Sequence, residues 1–356
     1  MDPEPDEPVR ARQPDEAVRG RHGRHRPSPT GGHTGTSAGT PTTADRPPLP
    51  GTALATYVVL AFAFSWVWWV PMAVRGQVSH SGQGWPTHLP GLIGPALAAG
   101  VVTLGWQGTG ALRDLGRRAV RWRGVGRWWW SVPAVLAVGA VGLTVAAAMG
   151  TPADLGGLVE YGGAPVVPVL LSLGYLLLVD GYGQELGWRG LLADGLADRV
   201  GEVRTALLVT VVWGVWVLPL VWVVDGLRPL GPATVVGGLG LLAGSVVLTR
   251  LYLGSGRSVL LVALWHTAFD LTTATSATRG LAAAITSVTV VVVAAVVLRN
   301  GRRRDRTARA AALRRRRDAA RRLAGYHTAE PHGADAEPRY ARRASQSSSA
   351  GQRPAQ

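Results

Sequence analysis

The chain has 356 residues and a formal net charge of +15, carried entirely by arginine because no lysine occurs. The absence of cysteine excludes disulfides, thiolate metal sites and a cysteine nucleophile. An isoelectric point near 11.4 would ordinarily suggest nucleic acid, but the surplus lies in loops and tails beside apolar runs. There, anionic lipid of the inner leaflet is the favoured partner and nucleic acid the disfavoured one.

Residues 1–52 are polar and proline-rich, which predicts a disordered basic N-terminal tail. They hold no apolar stretch resembling a signal peptide, so the first apolar helix is expected to act as an uncleaved anchor. His22 and His25, in Arg-His-Gly-Arg-His-Arg, read as part of that solvated tail rather than as a metal site. Apolar runs of membrane length follow at roughly 53–74, 88–106, 131–149, 165–183, 205–224, 232–253, 258–276 and 279–298. Lipid offers the backbone no hydrogen-bond partner, so these runs predict an all-α, polytopic membrane bundle of about eight helices over residues 53–299. Trp66, Trp68, Trp69 and Trp128, Trp129, Trp130 cluster near span ends, as interfacial aromatics do. Gly240 and Gly244 form a small-xxx-small pair that would let helices approach closely. Residues 300–356 form an arginine-rich, largely disordered tail, in which 299–323 has the composition of a basic helix lying on the inner leaflet.

Arginine placement predicts the orientation. Arg113, Arg117, Arg118, Arg121, Arg123 and Arg127 follow the second span, Arg189, Arg199 and Arg204 the fourth, and Arg250 and Arg257 the sixth. The alternate loops carry Arg75, Arg228 and Arg279. By the positive-inside rule both termini are cytoplasmic.

Three polar stretches interrupt the apolar spans: Gln184-Glu185-Leu-Gly-Trp-Arg189, Trp213-Gly-Val-Trp-Val217, and His266-Thr-Ala-Phe-Asp270. An ionisable group at mid-membrane costs roughly 2.5–3.5 kcal/mol on insertion scales, which makes each a functional candidate. Glu185 and Arg189 are four apart in the favourable order and can neutralise each other on one helical face. They could equally be an ion pair at the membrane boundary, with Arg189 snorkelling to the headgroups. His266 is the histidine of the core spans, and Asp270 lies one turn beyond it on the same face. A catalytic zinc normally takes three protein ligands. The sequence offers His266 and Asp270, and another helix would have to lend a third, so no cofactor is expected on ligand count.

On these stretches the chain resembles the CAAX-protease and bacteriocin-processing (CPBP, or Abi) family of intramembrane endopeptidases. Its motifs are Glu-Glu-x-x-x-Arg, an aromatic followed by x-x-x-His, and His-x-x-x-Asn or a near relative. The resemblance spans roughly residues 55–275 and includes Gly94-Pro95-Ala, Leu112-Arg-Asp-Leu, Trp122-Arg and Trp188-Arg189-Gly190. It implies peptide-bond hydrolysis by an activated water in a membrane cavity, on a peptide or lipidated protein. The implied site residues are Gln184, Glu185, Arg189, His266 and Asp270. Two positions depart from the family: Gln184 stands where the implied general base is a glutamate, and Val217 stands where a histidine orients the water. General acid–base work typically contributes 10²–10⁴-fold, so these departures predict weak or absent turnover. Asp180, one turn before Gln184, and Asp270 are the carboxylates able to substitute. The alternatives are a non-catalytic member that binds or chaperones a membrane or lipidated peptide, and, more weakly, a small-solute transporter, for which no internal repeat is evident. Motif placement at the inner end of the fourth span implies access from the cytoplasm.

Overall fold

The structure is a computed structural model that describes residues 49–161, 168–227 and 233–328. His22, His25, Arg228 and the chain beyond residue 328 lie outside the described residues. Every regular element among the described residues is helical. The principal helices are α1 Gly51–Val74, α2 Gly94–Ala119, α3 Ser131–Ala148, α4 over 169–200, α5 Glu202–Trp216, α6 Ala233–Gly254, α7 Val259–Thr273 and α8 Leu281–Thr328. They follow the predicted spans in order.

Four stretches, Gly51–Val74, Leu89–Ala119, Gly126–Ala148 and Leu281–Arg304, are long and apolar enough to cross a membrane, and Gly238–Gly254 within α6 and the shorter Val259–Thr273 are apolar as well. The fold is a helical membrane bundle and the protein is membrane-embedded.

Several boundaries differ from the sequence reading, each for a local reason. The second span was expected to end near 106, but α2 runs to Ala119 with a break at Gly108, whose φ of 76° is open to glycine. Beyond the break the helix becomes amphipathic and carries Arg113, Asp114, Arg117 and Arg118. The fourth span was expected to end at 183, yet α4 continues to residue 200 because the polar site is built into the helix. The basic stretch 299–323, read as a helix within a largely disordered tail, is helical through Thr328 and continuous with the last span. Alanine, leucine and arginine are all strong helix formers. Trp69 is fully buried and donates its indole N–H to the His88 carbonyl at 2.7 Å, so it is core rather than interfacial. Gly240 and Gly244 are not close-approach points: a Cβ at Gly240 would meet nothing within 4 Å, and one at Gly244 only Trp213 at 3.9 Å.

Loops of the same parity meet each other, as a chain of alternating helices requires. On one face Ser79 bridges to Val224, Tyr161 to Thr275, and Arg279 donates to Ser81. On the other, Arg118 pairs with Asp194 at 2.9 Å, Arg257 with Asp194 at 2.7 Å, and both Arg250 and Arg304 with Glu202. Arg257 holds this second knot from a left-handed backbone (φ 65°), secured by Asp194 and Asp198. The arginine-rich loops lie on this second face.

Candidate active site

The site is built on the middle of α4, where the helix changes gauge twice. Leu176–Tyr182 and Trp188–Ala193 are wide π turns flanking an α-helical Gly183–Gly187. Such turns are rare and recur at functional positions, because they re-aim side chains that a regular helix would stack. Glycines let neighbouring helices come close here. A Cβ on Gly181 would sit 2.8 Å from the Ala263 carbonyl oxygen of α7, and one on Gly187 would sit 2.6 Å from the Pro95 carbonyl oxygen of α2.

Glu185 and Arg189 are both fully buried, and Arg189 Nη1 donates to Glu185 Oε1 at 2.8 Å. This excludes the boundary ion pair with a snorkelling arginine. The Arg189 guanidinium lies over the Trp213 ring, 5.1 Å from its centroid. Glu185 also does something the spacing did not reveal: its Oε1 lies 2.8 Å from His266 Nδ1. The carboxylate therefore binds one ring nitrogen of His266 and leaves the other, Nε2, facing Asp270 Oδ2 at 3.6 Å. Trp213 packs edge-on against the imidazole, 5.6 Å between centroids.

Gln184 is locked on both sides. Its Nε2 donates to Asp180 Oδ1 at 2.6 Å and its Oε1 accepts the Trp213 indole N–H at 3.0 Å. This pattern assigns the amide orientation, since the opposite one would set a carbonyl against a carboxylate. It also uses the amide within the protein rather than on a substrate. Val217, at the end of α5, is part-buried against the apolar core.

Asp180 is 2% exposed, and its Oδ2 has no hydrogen-bond partner among the described residues. Asp180, His266 and Asp270 each bring one donor atom to a common point, all within 4.8 Å of one another. The third donor missing from the sequence-level ligand count is therefore supplied across helices by α4. Tyr161, in the loop between α3 and α4, is buried beside both aspartates. Burial, then Asp180 and Asp270, push its phenol well above the usual tyrosine range, so it stays protonated and able to donate to Asp180. No signal in the sequence marks Tyr161. Trp213 was visible as the aromatic of the second motif, but its bond to Gln184 was not.

Below Gln184, towards the arginine-rich face, Glu185, Trp188 and Arg189 are completely buried. The carboxylates lie instead beside Tyr161 and His88, which belong to the arginine-poor loops. Asp270, on the last turn of α7, keeps 14% side-chain exposure.

The site is thus a buried carboxylate–histidine–arginine constellation on facing helices of a membrane bundle. Residues 166–272, which contain Asp180, Gln184, Glu185, Arg189, His266 and Asp270, match the model of the family described as type II CAAX prenyl endopeptidase Rce1-like, within the CPBP group. The chain is also similar to CAAX prenyl protease 2 of Methanococcus maripaludis, with 28% identity over 110 residues. That match covers 30% of this chain and 39% of the relative, so it spans about two fifths of the relative's length.

Proposed function

We propose that the protein is a membrane-embedded endopeptidase in which Asp180 and Asp270, beside His266, take over the water activation that position 184 has lost. The observation that carries this reading is the buried meeting point of Asp180, His266 and Asp270, with one Asp180 oxygen left unpaired. Two carboxylates that meet at one point can divide the work between them, one acting as base and the other as acid. The ionised partner takes a proton from water as the oxygen attacks the scissile carbonyl carbon. The protonated partner passes its proton to the departing amine as the C–N bond breaks, giving a carboxylic acid and an amine. Glu185, fixed by Arg189, orients His266, whose Nε2 faces the developing charge. The substrate is a membrane-proximal peptide, prenylated or otherwise lipid-modified, that enters from the arginine-poor face.

The test is cleavage of quenched fluorescent peptides, farnesylated and unmodified, by the purified protein in lipid vesicles. Asp180→Asn and Asp270→Asn should each lower kcat by at least about 10²-fold, the usual scale of acid–base assistance. If the unmodified protein is inert while Gln184→Glu with Val217→His is active, the base has been lost rather than moved. The protein is then a peptide-binding member of the family. A second reading, favoured by the spacing of the three donors, has the same trio hold a divalent cation. Cleavage abolished by a chelator and restored by zinc would select it; cleavage indifferent to chelation selects the carboxylate pair.

A further inference from the structure

A second feature lies on the other side of α7 from the site. Trp265, the neighbour of His266, forms part of the wall of an apolar groove of about 320 Å³ bounded by α3, α6, α7 and α8. Small-molecule sites occupy roughly 300–1,000 Å³. The groove runs from Thr286 to Val297 along α8, eleven residues or about 16 Å at helical rise. Its walls there are almost wholly valine, alanine, leucine and tryptophan.

The two charged residues that line it, Arg127 and Arg250, both stack on Trp128, with guanidinium carbons 5.4 and 4.8 Å from the ring centroid. Arg304 lies close enough to join Arg127 in repelling Arg250 electrostatically. The carboxylate that faces this group is Glu202, 3.4 Å from Arg250 and 3.0 Å from Arg304. Three cations against one anion leave a surplus of two positive charges at one end of an apolar slot. Arg127 has no carboxylate partner among the described residues, and it is exposed. A charged mouth above a hydrocarbon-lined trough, on the face that the arginine distribution assigns to the cytoplasm, matches an amphiphile with an anionic head.

We propose that this groove binds an anionic phospholipid, with its phosphate on Arg127 and Arg250 and one acyl chain lying between α3 and α8. The neutral Trp128 ring holds the guanidiniums apart from each other and aimed at the headgroup layer. The assignment does not depend on the catalytic reading, since none of these side chains belongs to the Asp180–His266–Asp270 site.

The experiment is lipid titration of the full-length protein in detergent, read as affinity by native mass spectrometry and as thermal stabilisation. Phosphatidylglycerol should bind more tightly than phosphatidylcholine of the same chains, and inorganic phosphate should give no stabilisation. Arg127→Gln with Arg250→Gln should weaken phosphatidylglycerol roughly thirty-fold, the sum of two interfacial arginine contributions. Should that variant fail to fold, Val138→Phe fills the trough while keeping both arginines, and should weaken binding as well. Equal binding of the two lipids, or stabilisation by inorganic phosphate matching that by phosphatidylglycerol, overturns the proposal. So does undiminished preference in a folded variant of either kind.

Discussion

Replacing Glu185 by glutamine removes the charge of a fully buried acid without changing its size, and the consequences are calculable from its neighbours. Arg189, also fully buried, would keep its charge with no anion within reach. Breaking one partner of such a pair costs roughly 3–5 kcal/mol, against a total stability of about 5–15 kcal/mol for a typical domain. Removing both partners is a different perturbation. Glu185 Oε2, Arg189 Nε and Arg189 Nη2 are already buried without hydrogen-bond partners among the described residues. Each such atom costs about 1–3 kcal/mol of uncompensated desolvation. Glu185→Leu with Arg189→Met discards those penalties along with the attraction, so the double variant should lie within about 1 kcal/mol of the parent or above it. Equilibrium unfolding in mixed detergent would measure all variants in a double-mutant cycle. The same double variant should be catalytically dead, because His266 Nδ1 loses the oxygen that fixes the ring. A cost below about 1 kcal/mol for Glu185→Gln, or a double variant as unstable as the two singles summed, would refute the view that the pair is kept for the site rather than for stability.

Access can be tested cleanly because the chain has no native cysteine. In intact cells a membrane-impermeant maleimide should label Leu155→Cys, on the exposed arginine-poor loop, and leave Val120→Cys untouched; the reverse pattern would invert the orientation. Gly187→Ala should lower stability by roughly 3 kcal/mol, since its Cβ would strike both Tyr57 and the Pro95 carbonyl, a backbone atom that cannot rotate aside. Gly240→Ala, with open space around it, should instead raise stability by about 0.5–1 kcal/mol through helix propensity, as thermal unfolding in detergent would show.

The class of fold is legible in the residues alone, because apolar runs of membrane length leave the backbone only helix as a way to meet its own hydrogen bonds. The candidate residues are legible in the same way: Glu185, Arg189, His266 and Asp270 stand out as polar groups in apolar helices, where each is costly unless used. Local spacing carried the Glu185–Arg189 pair and the Asp180–Gln184 bond, since both are one turn apart on one helix. Everything that depends on two helices meeting was decided in three dimensions. That His266 takes the same oxygen as Arg189, that Trp213 fixes the amide of Gln184, and that Asp180 is the third donor beside His266 and Asp270 follow from the packing of α4 against α5 and α7. A motif's distance from the end of its span gives its depth, but the direction of a side chain in a helix that passes through two π turns depends on what the neighbouring helices leave unfilled.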